Sequence, residues 1–477
     1  MDQKSHKEII AECRLLLDEA LVYYEGRAVG MKAASDETRD ELNYGHVFTR
    51  DFSVAAIALL LDGKFETVKN FLEVVASLQG QDVHMDCYRL SHGMMPASFT
   101  VKKDDDGKEH LEADFGDSAI ARVVPLDAPL WWLYVLRIYM KVTGDKEFVH
   151  SRPIQACIER VLNLYLTSHF EMLPTLLVPD GCYMIDRRLA VYGHPVDMQV
   201  LFLMGLRSAF EVIAPGEKTS QWQTAIEYRI GHLAYHLRSL YWFDHDALNQ
   251  MYRYGVEEFG ESACNKFNLQ PDSIPAWIRE WMPKNGGYFL GNLGPGRCDF
   301  RWFAHGNLLS ILSGLTDDGQ TDAILQLLEN KKDTLLGETP IALVYPAFEG
   351  EAWRILTGCD QKNTPWSYHN GGHWPFLLWM LVAAAIKGGK PLLVEGLVES
   401  AAAGLQRDSW PEYYDGTRGQ LIGKEARFKQ TWSIAGVLIA DLIQNDPSLL
   451  SHLCFEETIP PATCTIDGTL VPSPPND

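Results

Sequence analysis

Helical stretches in this chain come in pairs, one nearly all apolar and the next mixed. Trp374 to Ile386 is apolar on every face, and Leu392 to Leu405, which follows it, mixes apolar with polar residues. A helix that is apolar all round must be buried on all sides, whereas a mixed one can form an outer layer. Inner and outer helices paired in this way, and closed into a ring, satisfy both requirements. Helical spacing of apolar residues predicts a dozen stretches: Ile9 to Tyr24, Asp51 to Leu61, Phe65 to Leu78, Asp127 to Val142, Phe148 to Phe170, Pro195 to Ile213, Gln221 to Leu240, Trp302 to Leu312, Thr321 to Asn330, Trp374 to Ile386, Leu392 to Leu405 and Thr431 to Ile443. Strand signals are few and short, with Tyr183 to Ile185 and Gly287 to Leu290 as candidates, and no β-α-β alternation points to a parallel sheet. No repeat of solenoid period is present. The expectation is an all-α fold with a single domain over residues 1–453 and a Pro-rich tail over 454–477 that carries Pro460-Pro461 and Pro472.

Composition narrows the partners. With 477 residues, 46% of them hydrophobic, the chain can bury a large core. Its 42 basic and 63 acidic residues leave a net charge of −21, which argues against nucleic acid and against anionic membrane surfaces. A neutral small molecule is the better partner. Nine scattered cysteines, an odd number with no C-x-x-C pair, read as free thiols rather than a disulfide framework or a zinc site. No apolar leader opens the sequence and no apolar run reaches membrane-spanning length, so the expected compartment is the cytoplasm.

Unusual chemistry gathers in the segments that precede the apolar helices. Asn43 to Asp51 holds Tyr44, Phe48 and Asp51; Asp117 to Asp127 leads into Trp131 and Trp132. Gly181-Cys182-Tyr183-Met184-Ile185-Asp186-Arg187-Arg188 sets a carboxylate beside two guanidinium groups and runs on to His194 and Gln199. Asp299 to Asn307 contains Arg301; Trp366 to Pro375 contains His369; Trp410 and Glu412 follow; Arg427 and Gln430 open the last helix. If the inner helices run parallel, these clusters line one cavity. Aromatic faces that stack on sugar rings, with Asp, Arg, His and Gln to bond hydroxyls, suit a neutral polyol. Candidate binding residues are therefore Tyr44, Phe48, Asp51, Asp127, Trp131, Arg187, His194, Gln199, Arg301, Trp366, His369, Trp410, Arg427 and Gln430. Each taken alone also fits a structural role, as a core staple or an N-cap.

Asp186 and Glu412, two acids in aromatic surroundings, are the candidate catalytic pair of a glycoside hydrolase, in which one acid protonates the leaving oxygen and the other activates water. Adjacent arginines favour an ionised Asp186, which suits a base better than an acid, and a structural salt bridge remains open. His369 and His373 have i, i+4 spacing, but Gly371-Gly372 between them breaks the helical facing that a metal site needs, so no metal is expected there. Another helical-barrel glycosidase, a sugar epimerase and a non-catalytic scaffold are the competing readings.

Seven segments resemble the alkaline/neutral invertases, glycoside hydrolase family 100, and in length the cyanobacterial type. They are Phe48-Thr49-Arg50-Asp51-Phe52, Leu173-Pro174-Thr175-Leu176-Leu177, Asp180-Gly181-Cys182, Met184-Ile185-Asp186-Arg187-Arg188, Tyr192-Gly193-His194-Pro195, His369-Asn370-Gly371-Gly372-His373-Trp374-Pro375 and Trp410-Pro411-Glu412-Tyr413-Tyr414-Asp415-Gly416. The resemblance implies an (α/α)6 barrel, hydrolysis of sucrose to glucose and fructose without a cofactor, and a homo-oligomer. It also implies an inverting mechanism, with Asp186 as general acid and Glu412 as general base. One departure is Asp197, where family members usually carry Glu; the side chain is shorter by one methylene.

Overall fold

A computed structural model describes residues 4–40, 42–81, 92–117, 124–166, 174–179, 181–185, 189, 191–253, 269, 271–294 and 297–462. Its twelve longest helices are α1 (His6–Glu19), α2 (Thr49–Leu61), α3 (Phe65–Ser77), α4 (Ala128–Thr143), α5 (Arg152–Tyr165), α6 (Val196–Val212), α7 (Thr219–His236), α8 (Ala304–Leu312), α9 (Asp318–Asn330), α10 (Leu378–Lys387), α11 (Leu397–Arg407) and α12 (Thr431–Asn445). Burial follows the apolar pattern. Every residue of α10 from Leu378 to Ala385 is buried, while α11 buries only Val398, Ala401, Ala402 and Leu405, a single stripe at helical spacing.

The fully buried helices form a closed circuit. Helix α2 packs on α4, α4 on α6, α6 on α8, α8 on α10, α10 on α12, and α12 returns to α2. Outside them, α3 lies against α2 and α4, α7 against α6, and α1 and α11 against α12. Because an outer helix carries the chain back between successive inner ones, the inner helices run parallel and their N-termini share one end.

Several boundaries differ from the expected ones. The first helix stops at Glu19 rather than Tyr24, because Leu21–Tyr24 turns back on Arg27–Met31 as a hairpin through Glu25 and Gly26, both at positive φ. The run Val22-Tyr23-Tyr24 has the β-branched and aromatic character of a strand. Helix α5 starts at Arg152, after a separate turn over Lys146–Val149, and ends at Tyr165. Trp302 and Phe303 are strand, and the helix after them begins at Ala304. Strand is more extensive than the sequence pattern indicates. Gly287–Gly294 pairs with Arg297–Phe303, which pairs with Val344–Tyr345, while His194–Pro195 and Trp242–Asp244 add to Gly287–Gly294. A second sheet joins Val47–Phe48, Ser98–Lys103 and Glu109–Asp114. Tyr183 to Ile185 forms bends, not a strand.

The body does not end at Leu453. Cys454 and Phe455, assigned above to a tail, are 2% and 1% exposed. The Phe455 ring lies under two guanidinium groups, Arg137 at 3.8 Å and Arg207 at 4.9 Å. Arg137 is itself fully buried, donating to the carbonyls of His452 and Cys454 at 3.1 and 2.9 Å and to Glu211 at 2.7 Å. The Phe455 N–H bonds the carbonyl of Leu312, the last residue of α8. Cations therefore gather where the inner helices present their carbonyl ends, which the helix dipole favours, and the segment after Leu453 plugs that end. Phe455→Ala is expected to lower the unfolding free energy by about 3–5 kcal/mol, read as a fall in the denaturant midpoint.

Candidate active site

Glu412 is placed by backbone geometry. Helix α11 ends at Arg407, and the chain turns through Ser409 and Trp410, with φ of 66° and 58°. Two consecutive side-chain-bearing residues in the left-handed region store strain of about 1–2 kcal/mol each, sustained only where surrounding contacts over-determine them. Those contacts are present. The Glu412 N–H donates to the Arg427 carbonyl at 2.8 Å, the Gln430 N–H to the Trp410 carbonyl at 3.0 Å, and Tyr414 exchanges backbone bonds with His373 at 2.9 Å each way. Glu412 is 4% exposed as a residue, and the Tyr44 hydroxyl donates to its two carboxylate oxygens at 3.3 and 3.4 Å. That bond is strongest when Glu412 is charged. Arg427 stands 4.7 Å over the Tyr44 ring and donates to the Asp40 carbonyl at 2.8 Å.

An aromatic wall continues from Glu412. Tyr413 stacks on Trp374 at 5.4 Å, Tyr368 stacks on His369 at 3.9 Å, and Phe376 stacks on Trp432 at 4.2 Å. Trp131, in the first turn of α4, lies 5.8 Å from His305 in the first turn of α8. Asp127 forms a buried ion pair with Arg50, which also reaches it from Nη2 at 3.1 Å. The Gln430 amide is best placed with its nitrogen on the Ala33 carbonyl and its oxygen accepting from Trp432 Nε1, both at 3.2 Å, rather than 3.5 Å from Asp51. Phe48 stacks on His46 at 6.4 Å, at the entry to α2.

Other expected residues have partners that define their roles. The Gln199 amide is spent on the backbone of Leu176, accepting from its N–H at 2.8 Å and donating to its carbonyl at 2.9 Å, so it fastens residues 174–179 to α6. Arg301 lies on Phe348 at 3.6 Å, with its Nε 2.9 and 3.0 Å from the two oxygens of Asp299. His194 sits in the short strand beside Leu293, and burial lowers its pKa, which keeps it neutral. Trp366, at φ 62°, donates from Nε1 to Glu349 at 2.5 Å. Trp410 is buried. The His369 N–H bonds Asn363 Oδ1. His373 faces elsewhere, with Nδ1 2.6 Å from the Thr339 carbonyl, so the two histidines share no helix face. Asp186 and Arg187 lie outside the described residues.

The Arg50 pairing, the Tyr413–Trp374 stack and His305 were not picked out in advance. Their shared signal is position, in or just ahead of the first turn of an inner helix or beside Glu412.

Comparison with known proteins gives the family. The family described as alkaline and neutral invertase matches residues 13–447. Alkaline/neutral invertase CINV1 of Arabidopsis thaliana is 47% identical over 451 residues, spanning 94% of this chain and 82% of that protein. Cytosolic invertase 1 of Oryza sativa subsp. japonica is 47% identical over 94% of this chain and 80% of its own length. Neutral/alkaline invertase 1, mitochondrial, also of Oryza sativa subsp. japonica, is 46% identical over 93% of this chain and 72% of its own length. Among solved structures, a GH63 mannosylglycerate hydrolase from Thermus thermophilus, in complex with Tris and D-glycerate, aligns over 90% of this chain and 99% of its own with a TM-score of 0.57. Its 13% identity makes this a likeness of fold alone.

The loop holding Glu412 leans on His373, and burial pushes the His373 imidazole down from 6.5 to about 4. Between those values the unfolded chain binds a proton that the native state refuses. Stability is therefore full above pH 6.5 and falls as pH drops towards 4. The loss is about 3 kcal/mol. Urea unfolding across this range should show that slope in the parent protein and a flatter profile in His373→Gln.

Proposed function

The chain belongs to the alkaline and neutral invertases, and on that premise we propose that it is a glycoside hydrolase that cleaves sucrose to glucose and fructose by an inverting acid/base mechanism. The closed circuit of six inner helices, with outer helices between them in sequence, supports reading the fold as a single (α/α)6 barrel. The observation that carries the catalytic reading is Glu412. A glutamate 4% exposed, bonded by the Tyr44 hydroxyl and walled by aromatics at the N-terminal end of the inner helices, suits a base that takes a proton from water.

Asp186 takes the part of general acid and protonates the glycosidic oxygen as the bond breaks. Inversion requires a water between the two carboxyl groups, which sets their separation at about 6.5–9.5 Å. Tyr44 and Arg427 hold Glu412 and its approach. Trp366, which is only partly buried, supplies sugar-facing aromatic surface, with Asp51 and His369 among the hydroxyl partners; Trp131 and Trp410 are themselves buried, and the Gln430 amide is committed to Ala33 and Trp432. Cytosolic relatives stand beside mitochondrial ones, and we favour a cytoplasmic homo-oligomer.

Glu412→Gln should cut kcat on sucrose by about 10²–10⁴-fold with sucrose affinity retained, and Asp186→Asn should do the same. Proton NMR of the first products of the parent enzyme should show inversion at the attacked anomeric carbon. Retention of configuration, or undiminished turnover in Glu412→Gln, would overturn the assignment.

A further inference from the structure

A solvent-facing cavity of about 520 Å³ lies where the end of α1 meets the backbone pairing of residues 32–36 with 427–431. Its described lining carries four cations, Lys32, Arg39, Arg427 and Lys429, in a chain where acids outnumber bases 63 to 42. Three acids line it too. The Asp36 carboxylate is taken up locally, accepting from the Thr38 N–H and hydroxyl at 2.9 and 2.6 Å and from the Phe428 N–H at 3.2 Å. Glu19 and Glu37 are exposed. Tyr44 is the one aromatic ring of the described lining, so a neutral sugar finds little surface to stack on.

The cations are held together by backbone. The Ser35 N–H donates to the Lys429 carbonyl at 3.3 Å, and the Thr431 N–H to the Ala33 carbonyl at 2.9 Å, which sets the two segments side by side. Arg427 is the most telling of the four. It is 7% exposed, donates to the Asp40 carbonyl and lies over the Tyr44 ring, with no carboxylate in ion-pair contact among the described residues. Asp36 feels its charge but makes no ion pair with it. Burying a cation without a counter-charge in contact is costly. Water can bond the remaining N–H groups, yet it brings no charge to offset the guanidinium. An anion in the cavity brings both.

Cations supplied from four chain positions suit a ligand with more than one negative charge and several acceptor oxygens. A phosphate monoester carries about −1.5 to −2 at neutral pH on three terminal oxygens, whereas a carboxylate carries a single charge. The cavity is larger than a bare phosphate needs, and Glu19 and Glu37 can accept from hydroxyls on the rest of the ligand. Two lining residues also serve Glu412: the Tyr44 hydroxyl bonds its carboxylate, and the Arg427 carbonyl accepts from its N–H. A ligand that draws the Arg427 guanidinium off the Tyr44 ring loosens that hold.

We propose that this cavity binds a phosphate monoester of a small polyol, with the phosphate on Arg427 and Lys429, and that occupancy lowers turnover through Arg427 and Tyr44. The binding stands without the substrate reading; the effect on turnover rests on it.

Calorimetry of the full chain at about pH 7.5 and fixed ionic strength, with glucose 6-phosphate and inorganic phosphate as probes, tests the site. Glucose 6-phosphate should bind at one site per chain, and inorganic phosphate should compete for it more weakly. Lys429→Asn, which suits the φ of 46° at that position, and Arg39→Gln should each weaken glucose 6-phosphate about tenfold. Both variants should keep the parent's melting temperature and its kcat/KM on sucrose without phosphate. In the parent protein, saturating glucose 6-phosphate should lower kcat on sucrose roughly threefold or more and leave KM unchanged. Binding of neither probe, or parental affinity in both variants, would overturn the site. Displacement of the probes by sucrose in Glu412→Gln would put them in the sucrose cavity and reject it equally. Binding with kcat unmoved rejects the coupling. A chain that binds glucose 6-phosphate and does not cleave sucrose fails the substrate reading and leaves the site standing.

Discussion

Closure of α12 onto α2 is the contact on which the rest of the molecule depends. Helices such as α10 are apolar on every side and have no solvent face to offer. In an open row, the helix at each end would leave an apolar face in water, at a cost of about 25 cal/mol per Å². Closing the row removes both ends at once. The return path through outer helices then makes all inner helices parallel, and it is this shared direction that brings the approaches to α2, α4, α6, α8, α10 and α12 together.

The two ends of the ring are treated differently. At the carbonyl end, Arg137 and Arg207 clasp Phe455 and bond backbone oxygens, so charge there is spent on closure. At the N-terminal end, polar groups are held in place by backbone pairing and buried neighbours. Glu412 is fixed between the strained turn at Ser409-Trp410 and the pairings with Arg427 and His373, so backbone contacts set where its side chain starts. The hydroxyl of Tyr44 then meets it from a segment 368 residues earlier.

Much of this was legible from residue patterns. Each of the twelve expected stretches contains a helix, because burial of an apolar face is a local property of composition, but the ends at Tyr24, Phe148 and Trp302 lie outside those helices. The sequence also singled out Glu412 as an acid among aromatics, and the structure buries it beside the Tyr44 hydroxyl. What could not be read was which partner a polar side chain would take. Gln199 has the chemistry of a sugar-binding amide, yet its amide is committed to Leu176, and nothing in local sequence announces that pairing. Phe455 sits in a Pro-rich stretch with the composition of a tail, and only the buried guanidinium of Arg137 beneath it makes it core.

The sequence by itself determined that helices would form, which of them would be inner or outer, and which segments carried acids and aromatics. Each of those properties is set within a few turns of chain. Only the tertiary structure decided that Tyr44 meets Glu412, that Asp197 faces His305, and that Leu21–Tyr24 leaves its helix for a hairpin. Those outcomes depend on long-range closure, in which a side chain's partner is whichever group the ring brings within about 3 Å.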